Sequence, residues 1–234
     1  MNLSENSLRQ EIKYKVFIKD INFFYSWLFT KSLFNKSYQD RNVYSLYFDT
    51  ANYDFAASNM SGESRRIKFR ARWYNNEPDF KNSFTKSDQR FNFELKRKFN
   101  NLSDKILFGT YCPSNKESFL LRKQEIKREF EYSLRQNRYN FYLRDSIFTG
   151  YSREYYEHCV NKNIRLTVDK NIEYFANGSD LKSNTLSKDY LIIELKFNPK
   201  DKIDALNIMK DFPFRQVRSS KYLASLSQVK RVSY

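Results

Sequence analysis

Arg66, Lys68, Arg70 and Arg72 stand at alternate positions of Arg65-Arg66-Ile67-Lys68-Phe69-Arg70-Ala71-Arg72-Trp73-Tyr74, with Ile67, Phe69, Ala71 and Trp73 between them. Successive side chains of a strand point to opposite sides, so this stretch predicts a purely cationic face backed by an apolar one. Four like charges in a row repel one another and are tolerated only against water or a polyanion. Arginine stays charged and its planar fork meets phosphate oxygens two at a time, so the chemistry this face suits is the holding of phosphate groups.

Other stretches repeat the pattern. Arg9, Glu11, Lys13 and Lys15 share a face against Ile12, Tyr14 and Val16; Glu94, Lys96 and Lys98 oppose Phe93, Leu95 and Phe99. Arg165, Thr167 and Asp169 oppose Ile164, Leu166 and Val168, and Glu194 and Lys196 oppose Ile193, Leu195 and Phe197. A sheet with one face in water alternates in the same way. Here the polar faces are mainly basic, with single glutamates that each have a lysine two residues along. Closed into a barrel, they would line an interior that needs water or a multivalent anion and its metal.

The elements that must position these residues are strands over 9–17, 43–48, 65–74, 90–99, 165–170 and 190–198. Helices are predicted over 20–34, 50–62, 114–136 and 201–210, and a last one from about Ser219. Loop 75–89, with Pro78, should join two neighbouring antiparallel strands. The expected class is α+β, an antiparallel sheet with helices outside it, in one domain spanning 1–234 with its core over about 9–226. The four glycines are isolated, which excludes a Walker loop or GxGxxG and leaves any phosphate to side chains.

A net charge of +15 over 234 residues implies an anionic partner. The basic residues alternate with acids along strands, which argues against nucleic acid. Cys112 and Cys159 are too few and too far apart for a zinc site or disulfide framework, and read as reduced thiols of a cytoplasmic protein. Residues 1–10 are polar, unlike a secretory leader, and no apolar run reaches the ~20 residues of a membrane span.

Eight segments in order resemble the catalytic domain of the vacuolar transporter chaperone proteins, a branch of the triphosphate tunnel metalloenzymes. They are Arg9-Gln10-Glu11-Ile12-Lys13-Tyr14, Tyr47-Phe48-Asp49-Thr50, Arg66 to Tyr74, Glu94-Leu95-Lys96-Arg97-Lys98, Tyr151-Ser152-Arg153-Glu154-Tyr155, Arg165-Leu166-Thr167-Val168-Asp169, Ile193-Glu194-Leu195-Lys196 and Ser220-Lys221-Tyr222. The resemblance implies an antiparallel β-tunnel of about eight strands whose basic interior binds ATP or inorganic polyphosphate. It implies transfer of the γ-phosphate of ATP onto a growing polyphosphate, with Mn²⁺ or Mg²⁺. By position it implies phosphate-binding roles for Lys13, Arg70, Arg72, Lys96, Arg153, Arg165 and Lys221, and metal binding by Glu194. Glu11 is a second candidate metal ligand, and Arg66, Lys68, Lys98, Lys105, Lys196 and Ser220 are auxiliaries. Such proteins carry membrane or phosphoinositide-type modules as separate domains or subunits, so a membrane-bound partner protein is a further implication.

Hydrolytic and cyclising relatives carry Glu-x-Glu-x-Lys on the first strand. Arg9 replaces the first glutamate here, which weakens a triphosphatase or cyclase reading and favours the polymerase branch; a metal-dependent tripolyphosphatase and a non-catalytic polyphosphate- or nucleotide-binding module are the alternatives. A phosphate acceptor is already deprotonated and needs no general base, which fits a chain whose single histidine, His158, reads as structural. Mutual repulsion of the cations further predicts that Arg70→Ala costs the empty protein little.

Overall fold

The computed structural model describes residues 8–30, 33–175, 184–187 and 189–230. Its strands are β1 (Arg9–Phe17), β2 (Phe34–Asp49), β3 (Arg65–Asn75), β4 (Phe91–Phe99), β5 (Leu102–Tyr111), β6 (Arg144–His158), β7 (Arg165–Phe175), β8 (Asn184–Ser187) and β9 (Tyr190–Phe197). Its helices are α1 (Ile21–Thr30), α2 (Asp54–Ser61), α3 (Phe80–Thr85), α4 (Phe119–Gln136), α5 (Lys202–Ile208) and α6 (Lys221–Lys230). The strands run antiparallel in the order β6-β2-β3-β4-β5-β1-β9-β7-β8, and β6 also pairs with β7. Eight strands therefore close into a ring, with β8 flanking the far half of β7. The fold is an α+β antiparallel tunnel.

Apolar faces of the strands point outward. Phe69, Ala71 and Trp73 of β3 are fully buried in one cluster with Phe93 and Leu95 of β4, covered by Ile126 and Phe130 of α4. The Phe130 ring stacks on Phe48 at 3.8 Å and meets Phe93 and Phe108 edge-on at 5.2 Å. On the opposite wall Tyr14 and Val16 of β1 pack with Leu166, Val168, Ile193 and Leu195 beneath α1. Because both apolar walls face away from the axis, the alternating charged positions face the lumen.

The ring has one weak seam: β1 and β5 pair only at Arg9↔Ser103 and Gln10↔Leu102. Below it the edge of β1 is taken by the segment leading to α6, through Tyr14↔Gln216 and the Val217 N–H to the Lys13 carbonyl at 2.8 Å. This lead-in aims α6 into one end of the ring. Tyr222 and Leu226 pack on Tyr47, Ala56 and Ile147, while Ala224 meets the cluster of Val43, Tyr151, Tyr174 and Ile192. Asp49 locks the arrangement: its carboxylate accepts the N–H groups of Phe55 and Ala56, capping α2, and the Tyr222 hydroxyl.

Several expectations are corrected. The helix expected over 20–34 stops at Thr30, and Phe34 opens a 16-residue β2 whose polar first half hides its strand character until it pairs with β6. The 75–89 connection does join paired neighbours, β3 and β4, yet holds α3, capped by Asp79 through the Asn82 N–H at 2.9 Å. The long helix is capped by Ser118, four residues after Ser114, and α2 starts at Asp54 after a left-handed Tyr53. Strands β5, β6 and β8 were not foreseen as strands, and β7 runs on to Phe175.

Removing the Phe130 ring empties the space where α4 meets three strands, so Phe130→Ala should cost about 3–5 kcal/mol in chemical denaturation. Tripolyphosphate affinity measured well below the melting temperature should stay unchanged, because Phe130 lies outside the lumen wall.

Candidate active site

Each wall contributes charge through alternation. Arg70 and Arg72 come from β3, Glu94 and Lys96 from β4, Glu11 and Lys13 from β1, and Glu194 and Lys196 from β9. Arg153 with Tyr151 comes from β6, Asp169 from β7, and Lys221 from the first turn of α6. Eight cations (Lys13, Lys68, Arg70, Arg72, Lys96, Arg153, Lys196 and Lys221) thus face four carboxylates (Glu11, Glu94, Asp169 and Glu194).

The carboxylates link the cations into chains. Glu194 lies 3.0 Å from the Lys13 ammonium, 2.8 Å from that of Lys196, and 3.4 Å from both Arg153 and Lys221. Asp169 receives the Arg153 fork at 2.5 and 2.7 Å and also the Lys221 ammonium. Glu94 binds Arg70 at 2.6 Å and Lys105 at 2.9 Å, and Glu11 binds Lys96 at 2.7 and 2.8 Å. Arg72 has no carboxylate in ion-pair contact among the described residues: its fork meets the Ser45 hydroxyl at 3.3 Å and the Tyr151 hydroxyl at 3.1 Å. Lys221 and Arg153 also lie over the Tyr151 ring, at 4.6 and 5.0 Å.

Burial alone would raise the carboxyl pKa of Glu194, but Lys13, Lys196, Lys221 and Arg153 hold it well below the usual range. Burial is likewise overridden by Lys96 and Lys13 at Glu11, and by Arg70, Arg72 and Lys105 at Glu94. Burial would also raise Tyr47, yet Arg70 and Arg72 pull its hydroxyl below the ordinary tyrosine value. Burial prevails at two lumen lysines: it pulls Lys196 down to about 8 despite Glu194, and Lys68 is lowered as well. The Lys68 ammonium meets only the Ser220 hydroxyl, at 2.8 Å, and burial reinforced by Lys13, Lys96 and Arg70 drives its pKa well below 10.5.

Most of the expected residues therefore converge. Lys13, Arg70, Arg72, Lys96, Arg153, Lys196, Lys221, Glu11 and Glu194 line one lumen, and Lys68 and Ser220 meet beside them. Arg165 does not converge with them. It opens β7 opposite Lys196, is exposed, and donates to the Lys162 carbonyl at 3.3 Å, which places it at the rim. Arg66 reaches the Asn100 carbonyl at 3.3 Å from the start of β3, and Lys98, partly buried, has its pKa lowered by burial and by Arg66 and Lys96. Lys105 is more than half exposed, with its ammonium on Glu94. His158 sits at the end of β6, where its Nδ1 accepts the Asn161 N–H at 3.0 Å, and both cysteines are free.

The cationic face of β3 is not left to itself, as its sequence suggested: Glu94 stands opposite Arg70 across the β3–β4 ladder. Glu94, Asp169, Tyr151, Tyr47 and Ser45 were not singled out as site residues. The alternation already placed Glu94 and Asp169 on charged faces, but only the register shows which cation each one meets. The pairing of Arg70 also changes the expected effect of Arg70→Ala, because the change removes one of two ion-pair partners from a carboxylate that is 2% exposed and leaves it to Lys105.

Hard dications take oxygen ligands, and magnesium usually takes one or two carboxylates and completes its shell with water and substrate phosphate. Glu11 and Glu194 lie on neighbouring strands, opposite Lys196 and Lys13 respectively, and face the same lumen. They fit that donor set. No group of three or more metal-ligating acidic, histidine or cysteine side chains gathers among the described residues, so the fit is to an ion shared with phosphate.

Fold and lumen together define a β-tunnel protein with a cationic interior. The chain belongs to the VTC domain family, whose model matches residues 8–230. No curated protein matches it in sequence. Solved structures share its fold at low identity. The PH1819 protein of Pyrococcus horikoshii OT3 is 12% identical with a TM-score of 0.48, over 94% of this chain and 98% of that one. A putative adenylyl cyclase from Hippeastrum, HpAC1, described as having a dominant triphosphatase activity, is 13% identical with a TM-score of 0.49, over 94% and 95%. A chain of the Schizosaccharomyces pombe Mediator head module is 7% identical with a TM-score of 0.50, over 88% and 96%. These likenesses concern the fold alone. Among the described residues no helix is long and apolar enough to cross a membrane.

Two outcomes follow for the empty protein. Arg70→Ala should destabilise it by about 3 kcal/mol in denaturant melts, and adding Glu94→Ala should restore part of the loss. Between its depressed pKa and 10.5, Lys68 is deprotonated in the folded chain and protonated in the unfolded one. The unfolded state then binds more protons, so this group makes stability rise with pH across that window. Lys68→Met should flatten the rise in melts compared at pH 8 and pH 10.

Proposed function

We propose that this chain is a polyphosphate polymerase that transfers the γ-phosphoryl group of ATP to the end of an inorganic polyphosphate chain. The observation that carries the reading is the lumen of eight cations and four carboxylates enclosed by a closed ring of strands. Membership of the VTC domain family supports it. Linked phosphates threaded along the lumen would meet Lys96, Lys13, Arg70, Arg153 and Lys221 in place of the carboxylates that those cations now hold, and Arg72 in place of its hydroxyl partners.

Phosphoryl transfer depends mainly on alignment and on neutralising charge on the equatorial oxygens. Arg72 and Lys221 are best placed for the transferring group: Tyr151 and Ser45 orient the first, and Tyr151 and Asp169 the second. A terminal phosphate oxygen of the acceptor attacks the γ-phosphorus, the bond from that phosphorus to the β,γ-bridging oxygen breaks, and ADP leaves with the electron pair. The attacking oxygen is ionised at neutral pH, so no base is required. Glu194 and Glu11 would hold a divalent ion, which would supply Lewis-acid stabilisation of the charge that develops on the phosphates. Arg9 supports synthesis over hydrolysis: it is exposed at the start of β1, where a further metal-binding carboxylate would otherwise stand.

Purified protein given ATP and Mn²⁺ or Mg²⁺ should make long polyphosphate and ADP, resolved on gels and by nucleotide chromatography. Orthophosphate as the sole product would mark a triphosphatase, and tight polyphosphate binding without turnover would mark a binding module. Arg72→Ala should lower turnover by at least about 10²-fold, the scale seen on removing one donor to transition-state charge.

A further inference from the structure

A cavity of about 650 Å³ opens where β2, the end of β3 and the start of β4 meet. Asn92 in its wall stands opposite Arg72 in the β3–β4 ladder, and Tyr74 lies two residues beyond Arg72 on the same face, so the cavity continues the lumen outward. None of its lining residues belongs to α6, which packs beside Tyr47 and Ile147.

The chemistry of this mouth differs from that of the lumen. The polar groups of the lumen are mainly cations and their carboxylates, with the hydroxyls of Ser45, Tyr47 and Tyr151. Beside the charged Arg41, Lys86, Asp88 and Arg90, the mouth offers the side-chain amides of Gln39, Asn76 and Asn92, none of which makes a hydrogen bond among the described residues, and the rings of Tyr38 and Tyr74. Phosphate oxygens only accept hydrogen bonds, whereas amides donate and accept equally. The amides therefore match a ligand with both kinds of group on one planar edge, and the rings match its face. The backbone is shaped for this too. Tyr38 pairs with Tyr155 and Arg41 with Arg153, a bulge that puts three steps of β2 against two of β6. Bulges re-aim side chains, and this one gathers Tyr38 and Arg41 at the mouth. The Arg41 guanidinium rests 5.7 Å from the Tyr38 and Tyr155 rings and 5.9 Å from Tyr74, with no carboxylate partner among the described residues. Tyr38 is held edge-on by Tyr155 at 5.8 Å yet remains 58% exposed, leaving one face open for stacking.

We infer that this mouth is a nucleoside subsite: the base of a nucleoside triphosphate stacks on Tyr38 and is read by the amides, while its phosphates run inward past Arg72. The inference rests on the tunnel as the phosphate site and adds where the donor's nucleoside is held. Arg41, fixed by the three rings, bridges the two as the first cation a phosphate meets on entry.

The test is calorimetric titration of the whole chain with ATP and, separately, with inorganic tripolyphosphate, which has no base. Tyr38→Ala should weaken ATP about tenfold, as expected for loss of one base–aromatic stack, and leave tripolyphosphate unchanged. Tyr38→Phe, which keeps the ring, should restore ATP affinity, and Asn92→Ala should weaken ATP but not tripolyphosphate. Equal loss for both ligands in Tyr38→Ala, or no loss for ATP, overturns the subsite. Failure of the tunnel itself would look different: Arg72→Ala would then leave tripolyphosphate affinity intact.

Discussion

An excess of like charge enclosed by a ring of strands is the constraint on which the rest of this structure depends. Eight cations share the lumen with four carboxylates, and burial penalises every one of them. The carboxylates do not cancel the excess. They spread it: Glu194 serves Lys13, Lys196, Arg153 and Lys221 together, so each cation is only partly satisfied. Lys68, with no carboxylate in ion-pair contact among the described residues, shows the residual cost in its depressed pKa. Such an interior is poised to exchange these ligands for phosphate oxygens, and Arg72, held only by hydroxyls, is the readiest to do so.

The outer shell provides the stiffness that holds the charges in register. Aromatic faces of β3 and β4 lock against α4, and the inner faces of the same strands have no freedom to turn their arginines away. At one end Asp49 joins the cap of α2 to Tyr222 of α6, so the helix that carries Lys221 inward is tied to the strand that carries Tyr47. At the other end the bulged first half of β2 breaks regular pairing and gathers polar and aromatic groups. A rigid charged middle between one filled end and one adaptable mouth gives the tunnel a direction.

Much of this was legible in the sequence because alternation in a strand reports its two environments directly. The β3 stretch gave its lumen face residue by residue, and the charged positions of β1, β4 and β9 followed by the same rule. What alternation does not encode is register. Nothing local says that Glu94 will stand opposite Arg70, or that Asp169 will receive both Arg153 and Lys221, which arrive from strands and helices far away in the chain. Arg165 shows the converse error: it has the right parity, but lies one step beyond the enclosed part of β7. Asn35 to Arg41 give no strand signal because their polar composition suits a loop, and only pairing with β6 makes them a strand. The mouth chemistry of Tyr38 and Arg41 went unseen for the same reason.

Mass-spectrometric mapping of lysine acetylation, with and without tripolyphosphate, tests the enclosed phosphate site most directly. Lys13, Lys96 and Lys196, each partly accessible in the empty lumen, should become protected, while exposed Lys116 and Lys202 on the outer shell react at unchanged rates. Protection spread evenly over the surface, or confined to the outer lysines, would contradict a lumen built to hold linked phosphates.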